Sequence, residues 1–141
     1  MDKFLIYGFL LLASLMACVS CSSSAAQGPA QTDASKWGEE VSVNTVAAMK
    51  GKEGIVVLDV REDDEYADAH IPGVLHIPMG QVMDRKAEFI DAKTVFVSCR
   101  SGHRSSRVTA ALRAEGFTHV HNMAGGIRAW KSAGLPVESG K

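Results

Sequence analysis

The segment Thr94-Val95-Phe96-Val97-Ser98-Cys99-Arg100-Ser101-Gly102-His103-Arg104-Ser105 decides how this chain is read. Its first half is continuously apolar, which marks a strand buried on both faces. Its second half is polar and cationic, and it leads into a helix expected from about Ser105 to Glu115. There Val108, Ala111 and Leu112 form one apolar face, and Gly116 suits the C′ position. Moving outward, Ile55-Val56-Val57-Leu58 is another buried run, ending in polar Asp59, Arg61 and Glu62. Shorter strands are expected at Glu40 to Val43, Val74 to Ile77 and His119 to Asn122. Asn44 is the expected N-cap of a short helix from Val46 to Lys50, closed by Gly51. A helix is expected over Gln81 to Phe89, and Gly125-Gly126 turns the chain into a last one holding Trp130. Strands alternating with helices imply an α/β domain with a parallel sheet covered on both faces. In such sheets ligands bind outside the C-terminal strand ends. Asp59 and Cys99 both end buried strands, so both are expected at that crevice.

A length of 141 residues suits one domain, and a formal charge of −1 offers no basic face for nucleic acid. Recognition of an anion must therefore be local. Of the three cysteines, Cys99 alone lies beyond the first apolar run, so the globular part has no internal disulfide.

That apolar run, Phe4 to Ala17, follows Lys3 and exits into small residues, as a signal peptide does. It falls short of the roughly 20 apolar residues of a spanning helix, although Phe4 to Cys21 also reads as an uncleaved anchor. Leu15-Met16-Ala17-Cys18 resembles the lipobox of bacterial lipoproteins, which implies lipidation at Cys18. The expected organisation is a signal peptide over 1–17, a tether over 18–36 and the domain over 37–141. Ser22 to Ser35 is rich in Ser, Ala, Gln, Gly and Pro, and such a composition cannot bury a core. The expected location is exported and membrane-anchored, facing the periplasm or the cell exterior. Cys18-Val19-Ser20-Cys21 also spells C-x-x-C, but no strand and helix frame it as a redox motif.

Cys99 stands at a strand end before a tight loop and a helix N-terminus. Loop N–H groups converge there, the helix dipole adds positive character, and Arg100, His103 and Arg104 add cations. All of these favour a thiolate and lower the thiol pKa from its free value of about 8.5. The competing reading, an inert buried cysteine, fits poorly with polar and charged neighbours.

The domain resembles the rhodanese-like sulfurtransferases from about Trp37 to Val137. Leu58-Asp59-Val60-Arg61-Glu62 with Glu65-Tyr66, His70-Ile71-Pro72-Gly73 with Ile77-Pro78, and Cys99 to Ser105 carry the likeness. Gly125-Gly126, Trp130 and Gly134-Leu135-Pro136 complete it. The resemblance implies a single-domain sulfurtransferase with three layers, a central parallel sheet flanked by helices, and no metal or organic cofactor. Cys99 would take a sulfane sulfur from a small anionic donor such as thiosulfate and pass it to cyanide or a thiol, including a protein thiol. Arg100, Ser101, Gly102, His103 and Arg104 would bind the donor and cradle the persulfide, with Asp59 and Arg61 in support. The two-domain members carry a cation where this chain has Glu65, a difference that bears on donor preference.

Asp59 either orients the loop or one of its arginines, or caps the strand-end turn. The acidic run Glu62 to Glu65 is expected to complement a helix N-terminus, and His70 to serve as a structural hydrogen-bonding residue. Cys99 and His103 alone make a poor metal site. A non-catalytic or partner-specific persulfide carrier is the alternative reading. A cysteine-dependent phosphatase needs five residues between cysteine and arginine, and only four separate Cys99 from Arg104.

Overall fold

The structure is a computed structural model and describes residues 37–140. The expected signal peptide, tether and Cys18 lipidation site lie outside the described residues.

The elements follow one another as β1 (Glu40–Val41), α1 (Val43–Met49), β2 (Ile55–Asp59), α2 (Asp63–Asp68), β3 (Leu75–His76), β4 (Thr94–Ser98), α3 (His103–Ala114), β5 (Val120–Met123) and α4 (Gly126–Ser132). The strands form one parallel sheet in the order β1-β5-β4-β2-β3. The two apolar runs are adjacent strands, with Val57 beside Phe96 and Asp59 beside Ser98. Every residue of β4 is buried, whereas β2 begins half-buried at Ile55 and Val56.

Alternation along β4 builds two cores. Val95 and Val97 pack with Leu58, Val60, Val108 and Leu112 on one face. Phe96 faces the other way and packs with Val46, Val57, Ile127 and Trp130. Thus α3 covers one face while α1 and α4 cover the other, the three-layer α/β arrangement expected. The α2 helix buries none of its residues and lies beyond the C-terminal end of β2.

Four details depart from the reading of the sequence. Ser42, not Asn44, caps α1: its hydroxyl accepts from the Thr45 N–H at 3.3 Å, so the helix starts earlier. Residues 81–89 form no continuous helix; 3₁₀ turns at Met79–Gln81 and Lys86–Glu88 take their place. Only Val82 and Phe89 are fully buried in that stretch, and Gly80 weakens its start. So short an apolar stripe does not offset the cost of nucleating a helix. The α3 helix begins at His103, two residues before the expected start. Its buried face uses Thr109 where Ala111 was expected; Ala111 is exposed.

Candidate functional site: the loop between β4 and α3

The backbone turns sharply at Gly102, which has φ 97° and is the N-cap of α3. A Cβ there would be strained by that angle and would stand 3.2 Å from the Gly125 nitrogen. The loop is held from behind by the β5–α4 turn. Ile127 N–H donates to the Cys99 carbonyl at 2.8 Å, and Arg128 N–H to the Arg100 carbonyl at 3.2 Å. This close approach needs Gly126, whose Cβ would lie 2.3 Å from the Cys99 carbonyl oxygen. The paired glycines therefore fix the loop from a distance in sequence.

Inside the loop, donors converge on the Cys99 sulfur. Gly102 N–H reaches Sγ at 3.1 Å and the Ser105 hydroxyl at 3.3 Å. The Ser101 and Ser105 backbone N–H groups add to the stabilisation of its anion. Cys99 is only 1% exposed, and burial alone would push its thiol up. The Ser105 hydroxyl and the three N–H groups outweigh that penalty and hold the thiol below its ordinary value. A sulfur held this way is stabilised as an anion and has donors placed for a negative charge built on it.

Ser105 and Asn122 escaped the sequence reading as individual site residues. Ser105 is fully buried, and its hydroxyl also reaches Asn122 Oδ1 at 2.6 Å. Asn122 comes from β5, so its place at the site follows from strand order and has no local signature.

The cations of the loop are unequal. Arg100 and His103 are exposed. Arg104 is part-buried and forms a two-pronged pair with Glu65 of α2, at 2.6 and 2.8 Å. The Arg104 guanidinium, followed by its Coulombic attraction, holds the Glu65 carboxyl below the usual range against the opposing effect of burial. Glu65 thus occupies the charge that Arg104 would present to an anion.

Asp59 does not open onto the crevice, nor does it touch a loop arginine. It is fully buried, and its carboxylate accepts from Arg61 Nε and Nη2 at 3.0 and 2.7 Å and from Arg61 N–H at 3.0 Å. This is the strand-end turn, with a buried ion pair added. Arg61 also donates to the Glu65 and Ala69 carbonyls at 2.9 and 2.8 Å, pinning α2. Asp59 and Arg61 therefore reach the loop through α2 and the Glu65–Arg104 pair. His70 is structural, with Nδ1 2.9 Å from the Tyr66 carbonyl and Nε2 3.1 Å from Glu138. Among the described residues, no three His, Cys, Asp or Glu side chains gather as metal ligands would.

A parallel α/β domain carrying a buried thiol among convergent donors at a strand end defines a cysteine-loop protein whose thiol is placed to carry negative charge. The family pattern of the rhodanese-like domain matches residues 42–133, and the chain belongs to that family. It is 42% identical over 106 residues to the putative sulfur carrier protein YrkF of Bacillus subtilis, covering 67% of this chain and 57% of that protein. A sulfurtransferase of Allochromatium vinosum is 38% identical over 85 residues, covering 60% of this chain and 79% of that protein. The thiosulfate sulfurtransferase structure from Pseudomonas aeruginosa superimposes with a TM-score of 0.67 at 28% identity, over 77% of this chain and 21% of that one. The chain spans 57% and 59% of the lengths of two Bacillus subtilis relatives.

Proposed function

We propose that this protein transfers a sulfane sulfur from a thiosulfate-type donor to a thiophilic acceptor through a persulfide on Cys99. The observation that carries this reading is the Cys99 sulfur, buried yet held below its ordinary pKa by converging hydrogen bonds. The thiolate attacks the outer sulfur of thiosulfate. The S–S bond of the donor breaks, and sulfite leaves with the electron pair. The persulfide anion keeps its charge within the Ser101, Gly102 and Ser105 donors. Cyanide or a thiolate then takes the outer sulfur, and the Cys99 thiolate is restored. Arg100 and His103, exposed at the mouth, meet the anionic donor, while Arg104 serves it to the extent that Glu65 releases it.

A second acceptor class is a protein thiol, which would make the chain a partner-specific carrier. Its support is the similarity to a protein described as a putative sulfur carrier. Phosphate chemistry is disfavoured, because a loop with four residues between Cys99 and Arg104 is one short of the phosphatase spacing. Export and lipid anchoring at Cys18 belong to the same proposal; Cys18→Ser should abolish lipid attachment in cells.

The deciding measurement is mass spectrometry of the protein after thiosulfate treatment. One added sulfur on the Cys99 peptide, released as thiocyanate by cyanide, is the expected result. An unmodified Cys99 with aryl phosphate hydrolysis in its place would overturn the assignment.

A further inference from the structure

The Ser105 hydroxyl has one proton and three acceptors within reach: Asn122 Oδ1 at 2.6 Å, the Gly102 carbonyl at 3.1 Å and Cys99 Sγ at 3.3 Å. Which acceptor receives it depends on the Asn122 amide, and Glu40 sets that amide. Glu40 in β1 is the register partner of Asn122 in β5. Asn122 Nδ2 donates to Glu40 Oε1 at 3.0 Å. A carboxylate can only accept, so the NH₂ must face Glu40 and the carbonyl must face Ser105. Turned the other way, two acceptors would oppose each other at Glu40. The Asn122 NH₂ would then donate to Ser105 Oγ and commit the hydroxyl proton to the other acceptors, sulfur among them.

We propose that Glu40 and Asn122 are positioning residues that control the reactivity of Cys99 by competing with its sulfur for the Ser105 proton. The geometry makes Asn122 a holding place. A neutral thiol is a weak acceptor, so the hydroxyl donates to Asn122 Oδ1. When Cys99 becomes a thiolate or persulfide anion, the hydroxyl turns to the sulfur without any heavy atom having to move far. Charge-assisted hydrogen bonds are about twice as strong as neutral ones, which supplies the preference. This inference rests on Cys99 being the reacting thiolate, but its test does not require sulfur transfer.

The test uses the full chain and reads the pH dependence of Cys99 alkylation by iodoacetamide through peptide mass spectrometry, which separates Cys99 from Cys18 and Cys21. Glu40 is exposed, so its replacement need not disturb the core. Glu40→Lys presents only donors, which turns the Asn122 carbonyl outward and its NH₂ toward Ser105. Alkylation of Cys99 at pH 7 should then rise about threefold to tenfold, the net scale of one ordinary hydrogen bond, because the hydroxyl gives up its bond to Asn122 when it turns to the sulfur. The added positive charge would also favour the thiolate by simple Coulomb attraction. The same substitution in a Ser105→Ala background separates the two causes, because only the Coulomb part survives there. A clearly smaller gain in that background supports the relay. An equal gain in both backgrounds overturns it, as would no gain with Ser105 present. A failure of thiosulfate to load Cys99 would instead count against the sulfurtransferase reading and leave this comparison intact.

Discussion

Two adjacent strands of this sheet end side by side and come to opposite fates. At the end of β2, Asp59 is fully buried and its carboxylate is met by Arg61. At the end of β4, one register position away from Asp59's partner Ser98, Cys99 is equally buried and met by hydrogen-bond donors of the loop and of the first turn of α3. The first arrangement neutralises a charge inside the protein. Among the described residues, the second meets its sulfur with neutral donors and keeps them for charge that arrives. Position at the mouth of a parallel sheet therefore does not make a site. What makes one is an atom that can change its charge among groups already aimed at it.

The sharpest way to break this contrast is to replace each residue in turn. Cys99→Ser keeps the size of the side chain but loses the sulfur nucleophile, and thiocyanate production should fall below detection. The protein should remain folded by circular dichroism. Asp59→Ala should have the opposite profile. It leaves the Arg61 guanidinium buried without its partner, a change that costs about 3–5 kcal/mol of stability in comparable pairs. The urea midpoint should drop strongly, while activity per folded molecule changes little. If Asp59→Ala were stable but unable to transfer sulfur, Asp59 would belong to the chemistry and the contrast between the strand ends would collapse.

The same contrast shows what was legible from residues alone. Strands β2 and β4 were readable because continuous apolar runs have little choice but a doubly covered sheet. The loop was readable because Cys99, Gly102 and Arg104 sit within six consecutive positions. The state of each charged group was not. Whether Asp59 pairs with Arg61 or a loop arginine depends on where α2 lies, and whether Arg104 is available depends on Glu65, 39 residues away. Asn122 carries no local mark at all, since it reaches Ser105 only because β5 lies beside β4. The stretch over 81–89 failed for another reason: it has the composition of a helix but too little apolar surface to seat one.

A smaller effect tests how far Arg104 has been withdrawn from the mouth by Glu65. Arg104→Ala should lower kcat/KM for thiosulfate by about tenfold, chiefly through KM, if the guanidinium meets the donor at all. Glu65→Gln removes the competing charge and leaves Arg104 in place. It should raise kcat/KM for thiosulfate about twofold to threefold, and added salt should erode the gain because the pair is partly exposed. Unchanged thiosulfate kinetics in both variants would assign this pair to loop architecture alone, as with Asp59 and Arg61.

The smallest expected effect concerns acid stability, and it arises on the far side of β5 from the chemistry. His121 is fully buried, with Nδ1 2.8 Å from the Gly38 carbonyl, so that nitrogen carries the proton and donates. Its Nε2 is buried and has no hydrogen-bond partner among the described residues. Burial is the main cause that lowers its pKa from the ordinary 6.5, the Gly38 carbonyl opposes this, and Arg113 and His119 add repulsion. His119 is lowered as well, by burial. The unfolded chain therefore takes up these protons at a higher pH than the folded one. Between the two values the unfolded state binds more protons, so stability falls as pH drops below 6.5 and is fully kept above it. Urea unfolding at about pH 7.5 and about pH 5.5 should show the lower midpoint in acid, a range chosen around the histidine titration. His121→Gln retains a donor for the Gly38 carbonyl but cannot titrate, so the difference between the two pH values should shrink. It should not vanish, because His119 continues to contribute. A full acid-induced drop in His121→Gln would place the pH sensitivity elsewhere in the fold.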